Sequence, residues 1–120
     1  MLFRSIQIAG LAEGLAMAEQ AGLDMKLVLE TLETGVAASP QVVRHSKRMV
    51  ARDFGGASFA AALRHKDAVY AVALAESLLS SVPVMGRAAV QAYDRAKAYA
   101  PDDDEGKMIE IVSRPRGATN

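Results

Sequence analysis

The chain has no cysteine and no tryptophan. Without cysteine there can be no disulfide framework, no thiolate nucleophile and no cysteine-ligated zinc cluster. A reducing cytoplasm is the compartment that fits. Aromatic residues make up only 5 % of the sequence. With few β-branched runs and abundant Ala, Leu and Met, that scarcity favours helix over sheet. Charge of one sign is also missing: Lys plus Arg and Asp plus Glu number 14 each. A zero balance argues against general binding to nucleic acid or to a membrane surface. No apolar run reaches the ~18 residues of a membrane span. The start lacks a basic region followed by a continuous apolar stretch, so no signal peptide is expected. A phosphate-cradling Gly-rich loop is absent as well.

What is present reads as helices. A length of 120 residues bounds the chain to one domain with one core. Apolar residues at 51 % and charged residues at 23 % lie near the globular average, so disorder is expected only at the ends. The first segment, about Leu2 to Ala21, is apolar nearly all round, which predicts a central helix buried on most sides. Gly10 and Gly14 each cost roughly 1 kcal/mol of helix propensity against Ala, a cost that close backbone packing could offset. Gly22 stops this helix. Asp24 caps a second, Met25 to about Thr34, which Gly35 ends. Ser39-Pro40 is a cap followed by proline at the first helical position and opens a third helix to about Ala51. Asp53 to Ser58 is a loop with glycine hinges. A fourth helix spans about Ala60 to Leu79, and Pro83 restarts the chain into a fifth, about Val84 to Ala98. The acidic turn Ala100 to Glu105 precedes a short last helix, Gly106 to about Ser113. Arg114 to Asn120 reads as a loose tail. The expected class is all-α, about six helices in a bundle.

The ionisable groups give several candidates. Phe59, Leu63, Lys66, Tyr70 and Leu74 recur at steps of three and four, so they share one stripe of the fourth helix. Lys66 is a point cation with three donors, suited to a carbonyl, ribose or phosphate oxygen. Its commoner meaning is a solvated lysine whose stem lies along apolar surface. Asp67 points about 100° away from Lys66. Phe59 and Tyr70 would ordinarily be core residues. His45 and His65 lack the convergent partners of a general base or metal ligand, so both are expected to face solvent and no metal site is expected. Arg44, His45, Lys47, Arg48 and Arg52 form a basic stretch without the interleaved aromatics that stack bases. It is expected to be a solvated face, or to pair with the acidic run Asp102 to Glu105.

The ordered set of signals resembles the C-terminal domain of the β-hydroxyacid dehydrogenase family, which includes 3-hydroxyisobutyrate dehydrogenase and tartronate semialdehyde reductase. The carriers are Ala12-Glu13-Gly14, then Ala18-Glu19-Gln20-Ala21-Gly22-Leu23-Asp24, Gly35, Phe59, Leu63, Lys66-Asp67, Pro83 and Tyr93. Each is short, and their order and spacing carry the resemblance from about Ile6 to Val112. Met1 to Ser5 depart from the family, which is apolar there. The resemblance implies a helical domain at residues 1–113 like the C-terminal domain of 6-phosphogluconate dehydrogenase, with residues 114–120 a tail. It implies that a Rossmann domain binding NAD or NADP is missing and that the chain is a truncated piece of a longer protein.

By the same resemblance the intact protein transfers hydride between NAD(P) and a small 3-hydroxy acid or semialdehyde, and forms a homo-oligomer. Lys66 would contact the cofactor near the nicotinamide, while Phe59 and Asp67 would shape the substrate cleft. The family's catalytic lysine falls upstream of Met1, so no catalytic residue is assigned here. The chain alone is expected to be inactive. The alternative is a standalone helical module for self-association or ligand binding, without catalysis.

Overall fold

The computed structural model describes residues 2–56 and 59–113; the expected tail at residues 114–120 and the loop residues Ala57 and Ser58 lie outside them. The helices are α1 (Leu2–Gln20), α2 (Met25–Thr34), α3 (Pro40–Ala51), α4 (Ala61–Leu78), α5 (Val84–Tyr99) and α6 (Ile109–Val112), with a 3-10 turn at Glu105–Met108 leading into α6. No strand occurs among the described residues; one isolated antiparallel bridge pairs Ala60 with Asp104.

The local signals act as their chemistry requires. Gly22 takes φ +76°, a left-handed conformation that costs a residue with a Cβ. Its N–H donates to the Glu19 carbonyl at 3.0 Å and that of Leu23 to Ala18 at 3.2 Å, the paired bonds of a Schellman stop. The Asp24 side chain accepts from Lys26 N at 3.0 Å, and Ser39 Oγ from Val42 N at 3.1 Å. The last helix differs from expectation in its first turn. The Asp104 carboxylate accepts from Gly106 N, and the Lys107 N–H reaches the Asp104 carbonyl at 3.0 Å, so the chain is wound more tightly there than an α-helix.

α1 runs through the centre, in contact with α3, α4, α5, α6 and the 3-10 turn. The core gathers on it: Ile8, Ala12, Leu15 and Ala16 meet Met49, Ala61, Tyr93, Ala96, Met108 and Ile109. Burial is nevertheless confined to one face, narrower than the apolar run implied. Phe3 and Met17 are 77 % and 72 % exposed, and a Cβ at Gly10 or Gly14 would meet nothing within 4 Å. The close approach expected at these glycines is therefore not made among the described residues. The reason is geometric: the other helices pack on one side of α1, and the opposite side has no neighbour among the described residues.

α4 and α5 form an antiparallel hairpin with the most extensive helix–helix contact. No side chain caps the N-terminus of α4. Its cap comes from a distant segment: Ala61 N–H donates to the Asp103 carbonyl at 2.9 Å and Ala62 N–H to Pro101 at 3.0 Å, while Glu105 N–H donates to Phe59 at 3.0 Å. The turn at residues 101–105 thus holds Phe59 and the start of the helix that carries Lys66 and Asp67.

Candidate functional site: the outer edge of α4 and the buried network behind it

The stripe seen in the sequence lies on the outer surface of α4. Lys66 is exposed, and so are Leu63, Tyr70 and Leu74. Tyr70 is therefore not core, contrary to the ordinary expectation for a helix tyrosine. Lys66 Nζ sits 5.9 Å from the centre of the Tyr70 ring, at the outer reach of a cation–π contact. Asp67 is half-buried and near enough to Arg64 to favour that residue's charge. Phe59 is half-buried at the mouth of the helix. The structure joins Lys66 to Tyr70, and Phe59 to Arg64.

Behind this edge lies a cluster that sequence reasoning did not assemble. Arg64 and Glu105 are 2 % and 1 % exposed. Arg64 Nε donates to Glu105 Oε1 at 2.9 Å and an Nη donates to Oε2 at 3.0 Å, a bidentate pair. Tyr93, fully buried, donates its hydroxyl to the same Oε1 at 2.6 Å. The Arg64 guanidinium lies 4.0 Å from the centre of the Phe59 ring. Burial pulls the Arg64 pKa down, but the hydrogen bond and charge of Glu105 outweigh it and the net direction is up. Burial and the Glu105 carboxylate push the Tyr93 phenol far above its ordinary value. Both groups stay protonated at any working pH.

A second part of the cluster sits on α3. Arg48 Nη1 donates to Asp104 Oδ1 at 3.2 Å, so the basic stretch does pair with the acidic turn. Elsewhere in that stretch Arg52 pairs with Glu19 at 2.8 Å and Lys47 with Glu33 at 3.6 Å. His45 overturns an expectation: it is buried, not solvent-facing. It belongs to the inward face of α3 with Val42, Ser46 and Met49, a spacing of three and four that the sequence did contain. Its Nδ1 makes no hydrogen bond and stands 4.0 Å from Asp104 Oδ2. Gly106 permits this crowding, since a Cβ there would lie 3.0 Å from Asp104 Oδ2 and 3.6 Å from His45 Nδ1. His65 is also less exposed than expected and meets Asp94 of α5 at 2.5 Å.

The described residues contain no group of three or more His, Cys, Asp or Glu placed to hold a metal ion, and no helix long and apolar enough to cross a membrane.

The sequence profile described as the NAD-binding region of NADP-dependent 3-hydroxyisobutyrate dehydrogenase matches residues 2–112. The chain belongs to this family. It is 30 % identical over 115 residues to the cytokine-like nuclear factor N-PAC of Aedes aegypti, covering 94 % of this chain and 20 % of that protein. It is 30 % identical over 106 residues to glyoxylate/succinic semialdehyde reductase 2 of Arabidopsis thaliana, a chloroplast protein, covering 88 % of this chain and 29 % of the relative. The crystal structure of 3-hydroxyisobutyrate dehydrogenase from Salmonella typhimurium superposes with a TM-score of 0.82 at 21 % identity, covering 92 % of this chain and 38 % of that one. The fold is thus the helical domain of 3-hydroxyisobutyrate dehydrogenase-like proteins, in a family of NAD(P)-dependent dehydrogenases, and the chain spans well under half the length of these relatives.

NAD(P), the cofactor of this family, needs a phosphate cradle and an adenosine site. The amides that open α4 are already spent on the Asp103 and Pro101 carbonyls, and no strand is present among the described residues to build a βα turn. What the α4 edge can offer is one side of a ligand: a cation at Lys66 within an apolar and aromatic wall.

Burial pulls the His45 pKa below 6.5, against the opposing charges of Glu105 and Asp104 and with Arg44 and Arg48. Protons then bind the unfolded chain first. The stability tied to a neutral His45 is complete above about pH 6.5 and is lost as the pH falls from there towards the folded-state pKa. Urea unfolding at pH 7.5 and 5.5 is expected to show a fall in stability that His45→Gln removes; an equal fall in both proteins would contradict this assignment.

Proposed function

We infer that residues 2–112 are the helical half of an NAD(P)-dependent 3-hydroxyacid dehydrogenase, acting on a small 3-hydroxy acid or its semialdehyde. One observation carries the reading: an exposed cation, Lys66, stands on an outer α4 edge with Phe59, Leu63 and Tyr70, at the positions where the family resemblance places its cofactor contact. The cofactor supplies the hydride. Lys66 would donate hydrogen bonds and positive charge to an oxygen near the nicotinamide. Phe59 would wall the cleft and exclude water from it, and Asp67 would order the helix beside Arg64. The acid–base lysine and the dinucleotide cradle would be supplied by a Rossmann half outside this chain, so the chain alone would not turn over. The absence of cysteine remains the ground for a cytoplasmic setting.

The test is a graft of residues 2–112 in place of the helical half of the Salmonella typhimurium enzyme. The graft is expected to reduce small semialdehydes with NADH or NADPH. Lys66→Ala is expected to raise the cofactor KM about tenfold to a hundredfold, the worth of one charge-assisted hydrogen bond of ~1.5–3 kcal/mol. An active graft whose KM ignores Lys66→Ala, or tight saturable NADH binding by the isolated chain, would contradict the reading.

The exposed apolar residues on α1 and on the α4–α5 hairpin, among them Phe3, Met17, Leu74, Leu78 and Met85, support homo-oligomer formation. They would equally serve the alternative, a helical self-association module without catalysis. Sedimentation at micromolar concentration is expected to show dimers or larger species; a clean monomer would remove both the oligomer and the module.

A further inference from the structure

We propose that Arg64 is a positioning residue for the cleft edge, its guanidinium held by Glu105 as a flat plate behind the Phe59 ring. The link to cofactor binding rests on the reading of Phe59 and Lys66 given above; the positioning of Phe59 does not.

Arg64 is the wrong kind of cation to bind a ligand. It is 2 % exposed, and the Glu105 carboxylate takes up two of its N–H groups at 2.9 and 3.0 Å. What it presents is its flat face, 4.0 Å from the Phe59 ring centre. Glu105 grips Phe59 a second time through the main chain, donating its N–H to the Phe59 carbonyl at 3.0 Å. One residue of the distant turn therefore fixes both the ring and the backbone of Phe59. Tyr93 adds a third donor to the same carboxylate, reaching in from α5.

Stability alone does not explain this choice. An apolar trio of similar volume would stabilise a core at least as well as a buried ion pair. The pair adds direction: a planar fork has one low-energy orientation against a carboxylate, and that orientation sets the plate. Lysine could keep the charge, but it has neither the second parallel bond nor the face. Lys66 lies about two helical turns beyond Phe59, so rotation or displacement of the α4 start moves its ammonium along the cleft edge.

The experiment is NMR on the isotope-labelled chain, comparing wild type with Arg64→Lys, Glu105→Gln and Tyr93→Phe, with thermal unfolding followed by circular dichroism. Wild type is expected to show an exchange-protected Arg64 Nε–H with nuclear Overhauser contacts to the Phe59 ring. In a cooperatively folding Arg64→Lys protein, the Phe59 ring signals should shift towards random-coil values. The amides from Phe59 to Lys66 should move while those of α2 stay in place. Tyr93→Phe, which leaves the bidentate pair intact, should keep the Phe59 signals.

Unmoved Phe59 and Lys66 signals in folded Arg64→Lys would overturn the proposal. Should that variant fail to fold, Glu105→Gln gives the same reading, and unmoved Phe59 signals there would overturn it equally. Phe59 shifts as expected, combined with an unaltered KM for Lys66→Ala in the graft, would remove the cofactor reading and leave the positioning of Phe59 standing.

Discussion

The buried pair between Arg64 and Glu105 is the constraint on which the arrangement depends. Its partners lie 41 residues apart in sequence, one on α4 and one in the turn before α6. Neither can be solvated, so each must have the other: removing one partner of such a pair leaves an uncompensated charge, at a cost of about 3–5 kcal/mol. The pair thereby ties the turn to α4, and the backbone of that turn then supplies the cap that α4 lacks. Tyr93 extends the tie to α5. Next to it, Asp104 links the same turn to Arg48 on α3. Two adjacent acidic residues thus connect three helices through one short segment.

This support explains how the proposed cleft edge can sit on an outer surface. Lys66 and Tyr70 face outward, where their own packing is weak, and Phe59 is half-buried beside the α4 start. Their placement comes from behind, from the cluster of Arg64, Tyr93 and Glu105. The division suits the proposed role as one wall of a cleft. The wall must be presented to something else, so its residues cannot be buried in their own core. The same holds for α1, whose unburied face carries Phe3 and Met17 and whose two glycines find no close neighbour among the described residues.

Much of the architecture was legible because it is punctuated locally. Gly22, Asp24, Ser39-Pro40 and Pro83 mark helix boundaries through φ preference, side-chain acceptors or the missing proline N–H, and none of these needs tertiary contact. The outer stripe of α4 was legible as a spacing, although whether it faced core or solvent was not. A helix apolar on several sides gives no direction to its burial, which is why α1 was expected to be more enclosed than it is. The buried network was harder still. Arg64 stands beside His65 and Lys66 and looks like one more surface cation, while Glu105 ends a run of aspartates and looks like a solvated turn. Only the folded chain brings them together. His45 is a milder case. Its spacing with Val42 and Met49 marked the inward face of α3, but its residue type argued for solvent, and spacing won.

The most direct measurement of the central constraint is a double-mutant cycle in urea with Arg64→Met, Glu105→Leu and the two combined. Each single change strands a buried charge and is expected to cost about 3–5 kcal/mol. The double change leaves mainly the Tyr93 hydroxyl without its acceptor, so its cost should fall short of the sum of the singles by at least about 2 kcal/mol. Additive costs would mean that the two charges do not depend on each other, and that the turn and α4 are held together by other contacts.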